Sequence, residues 1–175
     1  MPKIANNIPQ KPKPARPLDD FDRKILGALT KDARLSYAEI GKQVALSAPA
    51  VHERVKRLIA SGTIKYMAAQ LDGPQIGKPF LAFVHIISEG WNRSHQMMRL
   101  TEMPEVEEMH STAGDACFLL KVRTEDAAAM ESFLENVYSI PGVKGTKTNV
   151  VLSTFLEQPV QAEITQNWEQ VLQPG

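Results

Sequence analysis

Hydrophobic residues between positions 18 and 62 recur at helical spacing in three short segments. The first segment, LDDFDRKILGALTKDA, opens with Asp19 or Asp20 as a helix cap, and the acidic residues of its first turns favour the positive end of a helix. Its apolar face comprises Phe21, Ile25, Leu26 and Leu29. This spacing predicts an amphipathic helix that packs one face against a core.

The second segment, SYAEIGKQV, carries a capping box. Ser36 and Glu39 stand three residues apart, where each side chain can satisfy a backbone N–H at the start of a helix. Ile40 and Val44 then face inward. A tight connection, ALS, leads to the third segment, so the three predicted helices form a helix-turn-helix module.

The third segment is SAPAVHERVKRLIASG. Ser47 is placed as its N-cap, Pro49 sits in the first turn where a missing N–H costs nothing, and Gly62 ends the helix. At 100° per residue, one buried stripe contains Val51, Val55 and Leu58. Small and polar residues near the start and long cations further along suit a helix that reads base edges and holds phosphates.

A generic amphipathic surface helix would also carry charge, but this one holds three basic residues and one acid and follows a capped helix by a tight turn. We therefore expect contacts with double-stranded DNA. The residues expected there are Ser36 and Tyr37 from the start of the second helix, with Ser47, Pro49, Ala50, His52, Glu53, Arg54, Lys56 and Arg57 from the third.

Beyond Gly62 the pattern changes from helical to alternating. TIKYMAAQLD is β-prone, and GPQIGKP reads as a hinge. Two similar units follow, each a strand, a helix and a strand, with MPEV and IPGV at the same place in each and AGDA as the turn between them. The order βαββαβ predicts a ferredoxin-like domain, with two helices on one face of a four-stranded antiparallel sheet.

One strand of this domain, FLAFVHII at residues 80–87, is apolar on both of its alternating faces. The two helices can cover only one face, so the other must find cover, most simply the same sheet of a second chain. We therefore predict a homodimer that presents two recognition helices to half-sites about one DNA turn apart, or multiples of it. His85 on this strand is expected to be a core histidine.

The zero net charge of the 175 residues hides an asymmetry. Residues 1–65 hold 13 Lys and Arg against 6 Asp and Glu, a net +7, and the remainder carries −7. This division favours two domains with different partners, the first facing polyanions. The single cysteine excludes a disulfide framework, and no signal core or membrane-length apolar run occurs, so a cytoplasmic protein without a membrane partner is expected.

The expected organisation is α+β. It comprises a disordered basic arm at 1–17, a helix-turn-helix (winged-helix-like) domain at 18–65, a strand or linker at 66–79, a ferredoxin-like domain at 80–156 and a tail at 157–175 with a possible short helix. No metal-ligand spacing, phosphate loop or nucleophile motif is present, so no cofactor is expected.

The run LDDFDRKIL, the pattern S-x-P-x-V-x-x-R-V-x-R-L-x-x-x-G-x-I from Ser47 to Ile64, and a βαββαβ domain with GD in its central turn and PGV before its last strand resemble the Lrp/AsnC family. These leucine-responsive, or feast/famine, transcriptional regulators form dimers that assemble into octamers or larger rings and bind small amino acids at subunit interfaces. The resemblance implies an effector site at Ser111, Thr112, Ala113, Gly114, Asp115, Thr146 and Thr148.

Three alternative interpretations are also compatible with the sequence. Gly114 and Asp115 suit a plain hairpin turn, and the threonines suit strands, without any effector. The chain could be an oligomeric ligand-binding module with weak DNA binding. The same two-domain plan also occurs in sirohaem decarboxylases, but such an enzyme has no need of the basic third helix.

Overall fold

The computed structural model describes residues 17–88 and 94–163, which contain five α-helices and a four-stranded antiparallel sheet. The described chain forms two compact units: residues 17–69 together with 158–163, and residues 70–157. The basic arm predicted at 1–17 falls, apart from Pro17, outside the described residues, as does any helix in the tail beyond residue 163. Within the described ranges, no helix is long and apolar enough to cross a membrane.

The first unit contains helices α1 (Asp20–Lys31), α2 (Tyr37–Val44) and α3 (Ala48–Ala60). Asp19, Ser36 and Ser47 cap them, as the sequence predicts. Gly62, at φ 76°, follows the end of α3 in the left-handed conformation that favours glycine. The core of the unit is Ile25, Leu26, Ala28, Ile40, Val44, Val51, Val55 and Leu58. This confirms the predicted inward faces of α2 and α3, and Ile25 and Leu26 of the face predicted for α1.

Two positions of α1 differ from the prediction. Phe21 is 38% exposed instead of buried, and the guanidinium of Arg54 lies over its ring, 5.3 Å from the centroid. The neighbouring Asp22 is buried instead, with only 4% of its surface exposed. A carboxylate is stable there because a cation from α3 reaches it.

Residues 63–72 form no strand in the described chain. Of the two expectations for residues 66–79, a strand or a linker, the single chain shows the linker. The residues have no ladder partner in the described chain, and Tyr66 and Leu71 are 78% and 65% exposed. β-branched and aromatic composition favours a strand only where a neighbouring strand supplies hydrogen bonds and packing. A single 3-10 turn, Pro74–Ile76, interrupts the hinge.

The second unit is ferredoxin-like, as predicted. Its elements are β1 (Phe80–Ser88), α4 (Ser94–Met97) continued by a 3-10 turn (Met98–Glu102), β2 (Val106–Ser111), β3 (Phe118–Thr124), α5 (Ala127–Tyr138) and β4 (Val143–Val150). The strands are antiparallel in the order β2-β3-β1-β4. The first helix is shorter than expected, and β4 ends at Val150 rather than continuing to residue 155.

The helices cover one face of the sheet and bury Ala82, Val84, Ile86, Leu120 and Val122 under Met97, Leu100, Met130, Phe133 and Val137. The alternate side chains of β1 lie on the opposite face, called here the open face. There Phe83 is 37% and Ile87 41% exposed. His85 is half-buried on this open face, so the expectation of a core histidine was wrong.

Candidate DNA interface and effector site

The outward surface of α3 is fixed by what the helix buries. Val51, Val55 and Leu58 are at most 4% exposed and share one face at helical spacing i, i+4 and i+7. The side chains on the opposite face therefore point outward, whereas Arg54, beside the buried face, turns toward α1. Pro49, His52, Glu53, Lys56 and Arg57 are exposed, and Ala50 is half-buried.

A tight turn sets α2 against the start of α3. Ala45 adopts a left-handed conformation at φ 57°, and the Leu46 N–H donates to the Gly41 carbonyl at 2.9 Å. A Cβ at Gly41 would lie 2.5 Å from the Leu46 carbonyl oxygen. Only glycine therefore allows this close approach, a requirement that helical periodicity does not reveal.

Tyr37, at the first turn of α2, meets His52 of α3, with ring centroids 5.2 Å apart. Both side chains are exposed on the same side of the unit. The structure thus brings the expected residues of α2 and α3 together in one surface. Glu53, whose carboxylate lies 3.7 Å from Nδ1 of His52, is the acidic member of this surface.

The two predicted serines serve as helix caps. Ser36 Oγ accepts from the Glu39 N–H at 3.2 Å and donates to the Glu39 carboxylate at 2.6 Å. The hydrogen bonds that the Glu39 carboxylate accepts from the Ser36 hydroxyl and from the Ser36 backbone N–H lower the pKa of Glu39. Ser47 Oγ accepts from the Ala50 N–H at 3.4 Å. Both hydroxyls are therefore occupied in stabilising the helices that carry the surface.

Arg54, expected among the DNA-contact residues, forms ion pairs within the helical unit. Its Nη1 donates to the carboxylates of Asp19 and Asp22, each at 2.7 Å, and its side chain is 21% exposed. Hydrogen bonds to Asp19 and then to Asp22 raise the pKa of the guanidinium. Arg54 thus fastens α3 to α1, which the expectation of a DNA contact for this residue did not foresee.

The predicted effector turn is a tight hairpin between β2 and β3. Thr112 closes it twice: its N–H donates to the Cys117 carbonyl at 3.0 Å and its hydroxyl to the Ala116 carbonyl at 2.7 Å. Gly114 has φ 142°, a conformation that side chains disfavour. Ser111, Ala113 and Asp115 are exposed around it.

The two halves of the predicted effector set lie at opposite edges of the sheet. Ser111 on β2 is in register with Phe118 on β3, and through Ile86 on β1 this row ends at Thr146 on β4. Three strand spacings of about 4.8 Å place the ends of the row about 14 Å apart. A small amino acid is too short to touch both halves within one chain.

Thr146 and Thr148 lie on the helix-covered side of β4, opposite Ile86 and Val84. Tyr138 of α5 holds the first of them: its Oη accepts from the backbone N–H of Thr146 and lies 3.2 Å from the Thr146 hydroxyl. Neither sequence spacing nor turn chemistry pointed to Tyr138, because the contact depends on how α5 packs.

A cluster of ionised side chains on the open face was also missed. Arg123 Nε donates to Glu107 at 2.5 Å, and Lys121 Nζ lies 2.9 Å from the same carboxylate. Glu157 pairs with both cations from the segment after β4. Burial raises the pKa of Glu107, but the hydrogen bonds from Lys121 and Arg123 outweigh it, so the net pKa is lowered.

A cavity of about 430 Å³ lies beside this cluster, lined in part by Gly73, Leu81, Arg123 and Phe155. None of the predicted effector residues lines it. In the part of the chain that the structure describes, no three His, Cys, Asp or Glu side chains meet in a group that could hold a metal ion.

Comparison with known proteins extends these observations. Residues 18–59 match the AsnC-type helix-turn-helix domain, and residues 81–161 match the Lrp/AsnC ligand binding domain. The chain is 36% identical over 141 residues to the HTH-type transcriptional regulator FL11 of Pyrococcus horikoshii, which covers 81% of this chain and 93% of that protein. It is 35% identical over 154 residues to the leucine-responsive regulatory protein of Escherichia coli, covering 83% and 91%.

Solved structures show the same fold. The transcriptional regulator NMB0573 of Neisseria meningitidis, in complex with L-Met, superposes with a TM-score of 0.76 at 26% identity, covering 81% of this chain and 94% of that chain.

Proposed function

Because this chain belongs to the Lrp/AsnC family of transcriptional regulators, we propose that it reads specific double-stranded DNA with the outward surface of α3. Its relatives are named as regulators, so the chain is a DNA-binding regulator and not an enzyme of the sirohaem decarboxylase kind. The burial of Val51, Val55 and Leu58 carries the proposal, since it turns the opposite side of α3 outward.

Within this surface we assign different roles to the two ends of α3. Pro49 and Ala50 leave room for close approach to base edges, and His52 and Glu53 supply polar groups that distinguish bases. Lys56 and Arg57, exposed one turn further along, hold the phosphates on either side of the major groove. Tyr37 supports His52 by ring contact, and Ser36 and Ser47 keep the two helix starts in place.

The chain acts as a homodimer, assembling further to an octamer or larger, in which the open face meets the same face of a second copy. The partial exposure of Phe83 and Ile87 in the middle of a sheet supports this, because such apolar side chains favour a covered surface. A two-fold dimer presents two recognition helices to a pseudo-palindromic site in the cytoplasm.

The ligand that regulates the protein is a small amino acid. Asp115 is exposed and supplies a carboxylate for the ammonium group, and the N–H of Gly114 is a donor for the carboxylate. The distance of about 14 Å between the two halves of the site supports a ligand bound between subunits, where another copy brings the missing half within reach. Binding there shifts the spacing of the recognition helices.

Fluorescence anisotropy tests the DNA-binding proposal. The full chain is titrated against labelled DNA from upstream of its own gene and against random DNA, across a salt series. We expect an affinity for the upstream DNA about a thousandfold or more above that for random DNA, and a steep dependence of this affinity on salt concentration.

The matched variants are Lys56→Ala, on the proposed surface, and Lys31→Ala, at the exposed end of α1. Lys56→Ala removes one phosphate contact from each of the two recognition helices, so it flattens the salt slope by about 0.9 per helix, or about 1.8 for the dimer. Lys31→Ala leaves the slope unchanged. Equal and weak binding of both DNAs by the parent protein rules out a sequence-specific reader.

A further inference from the structure

The chain passes between its two compact units twice. The first passage is at residues 69 and 70, between the helix-turn-helix unit and the sheet unit. The second is at residues 157 and 158, where the chain leaves the sheet unit and its next six residues pack within the first unit. A single linker leaves two domains free to move, whereas a second attachment closes a ring of chain and removes much of that freedom.

In the sheet unit, the segments that enter at Gln70 and leave at Glu157 contact each other. Gln70 Nε2 lies 3.5 Å from the backbone carbonyl of Glu157, so the incoming and outgoing segments lie side by side. The Glu157 carboxylate pairs with Lys121 and Arg123, whose side chains are 14% and 10% exposed. The end of the sheet unit is thus held by partly buried ion pairs and is not a free tail.

In the helical unit, the returning segment lies on α1. Arg23 Nη1 donates to the Ala162 carbonyl at 2.9 Å, and the Ala162 side chain packs half-buried against the three-helix core. Glu163 places its carboxylate directly over the Cα of Gly27. Arg23 and Gly27 are four residues apart, so they form one continuous face of α1 that accepts the segment.

We propose that residues 158–163 are a clasp: a second connection that binds the Arg23–Gly27 face of α1 and couples the helical unit to the sheet unit. The contacts amount to one hydrogen bond, one small apolar side chain and one close approach. A clasp of this size can open and close, and its closed state is favoured because the same chain supplies it at high effective concentration.

This inference rests on the proposed function in one respect. It assumes that α3 reads DNA, so that a change in the sheet unit, passed on through the clasp, changes the position of the DNA-reading surface. The first passage, at residues 69 and 70, is one covalent route from the sheet unit to the helical unit. With the clasp closed, a shift in the sheet unit pulls on α1, and Arg54 fastens α3 to α1. The clasp therefore gives the effector response a second route.

Two substitutions one residue apart test the clasp. Ala162→Glu puts a charged side chain into the contact with the three-helix core, and Gln161→Glu adds the same side chain at an exposed position. Arg23→Ala removes the hydrogen bond to the clasp, and Arg23→Lys keeps a donor. Nitroxide labels are placed at Lys31→Cys on α1 and Ser132→Cys on α5, both exposed, in a Cys117→Ser background.

Pulsed electron paramagnetic resonance then measures the distance distribution between the labels, with labelled chains diluted in unlabelled protein so that distances within one chain dominate. We expect Ala162→Glu and Arg23→Ala to broaden the distribution about twofold, as for domains joined by one linker. The Gln161→Glu distribution keeps the parent width, and Arg23→Lys restores part of it. An Ala162→Glu distribution identical to that of Gln161→Glu overturns the clasp, as does a parent distribution that is already broad.

DNA binding of the same unlabelled variants separates this inference from the proposed function. A broadened distribution with a changed specificity for the upstream DNA supports both the clasp and its coupling. Unchanged specificity in the broadened variants overturns the coupling. Failure of the parent protein to bind DNA contradicts the proposed function, while the distance distributions still decide whether the clasp exists.

Discussion

Arg54 on α3 and Asp22 on α1 form the link that orients the recognition helix. Arg54 Nη1 lies 2.7 Å from Asp22 Oδ1, and the Asp22 side chain is only 5% exposed. Asp19, which also caps α1, binds the same nitrogen at 2.7 Å. Arg54 follows directly after His52 and Glu53 in the sequence, yet its guanidinium points toward α1 and forms ion pairs with Asp19 and Asp22.

Replacing Arg54 with Met tests this role. The substitution keeps much of the side-chain volume but removes the nearer cation from the buried Asp22 carboxylate and leaves it only Arg57, whose Nη2 lies 4.0 Å away. We expect a cost of about 3 kcal/mol in the free energy of unfolding. DNA affinity falls because α3 loses its attachment, yet the salt slope stays that of the parent because no phosphate contact is lost. Urea unfolding and anisotropy across a salt series measure the two effects.

Lys56→Ala is the matched control, with a flatter salt slope and nearly parental stability. The double replacement Asp22→Asn with Arg54→Met removes the uncompensated charge and recovers part of the stability. A slope reduced by about 0.9 per recognition helix in Arg54→Met would show that this residue does touch a phosphate.

Gly41 and Gly27 offer a matched pair of helical glycines. Alanine at either position raises helix propensity by about 1 kcal/mol. At Gly41 the new methyl group meets the backbone carbonyl of Leu46 at 2.5 Å, which cannot move without opening the turn before α3. At Gly27 the nearest atoms belong to the carboxylate of Glu163, the end of a long side chain that can rotate aside.

We therefore expect Gly41→Ala to destabilise the chain by about 1 to 3 kcal/mol and to weaken DNA binding, and Gly27→Ala to be neutral or stabilising. Thermal unfolding with DNA titration checks both. Equal stability of the two variants would mean that the turn relaxes without cost.

Local sequence rules predicted the elements because the interactions that cap and end them are local. Ser36 and Glu39 stand three residues apart, and the capping box forms as their spacing requires. The buried faces of α1, α2 and α3 follow from helical periodicity in the same way. Spacing alone, however, could not assign Arg54, because its partner Asp22 lies 32 residues away and its role depends on how α1 crosses α3.

The open face illustrates the same limit of prediction from sequence spacing. Alternation along β1 revealed that one face of the sheet lacks helices, but the ion cluster of Glu107, Lys121, Arg123 and Glu157 depends on strand register and on the path of the chain after β4. The β-prone residues 63–72 form no strand in the single chain for a related reason, since a strand needs a partner that one chain does not supply.

Glu107 gives the sheet unit an acid-sensitive contact. Its folded pKa lies below the ordinary value of 4.5, so the ionised form stabilises the fold above that pH. This contribution is lost as the pH falls through the lowered pKa. Glu107→Gln should reduce stability at about pH 7 and have a much smaller effect at about pH 3.

Urea unfolding of the parent and of Glu107→Gln at both pH values measures the difference. Glu108→Gln is the control, because Glu108 is exposed and contacts only His110 among the described ion pairs. A loss of stability that is equal at both pH values would assign the effect to packing and not to charge.

Phe83 lies at the centre of the open face and tests the proposed dimer. A glutamate at this position places a charge in a surface that a second copy would cover, which costs far more in an interface than in solvent. We expect Phe83→Glu to sediment as a smaller species than the parent in analytical ultracentrifugation, with unchanged secondary structure by circular dichroism. Ser132→Glu, on the exposed side of α5, should sediment as the parent does.

Asp115 is the residue on which the proposed amino-acid response depends. Its carboxylate is exposed beside Gly114, and a charge-assisted hydrogen bond to an ammonium group contributes about 1.5 to 3 kcal/mol. Asp115→Asn should therefore weaken binding of L-methionine or L-leucine about tenfold or more, as measured by calorimetry. Glu125→Gln removes an exposed carboxylate that follows β3 and should bind as the parent does.

The same titrations in the presence of DNA separate the sensing site from the reading surface. Asp115→Asn keeps the parent affinity for DNA without amino acid and loses the change that the amino acid causes, because the hairpin lies outside the helix-turn-helix unit. If Asp115→Asn responds to the amino acid as the parent does, the effector binds elsewhere, and the cavity beside Arg123 becomes the next place to substitute.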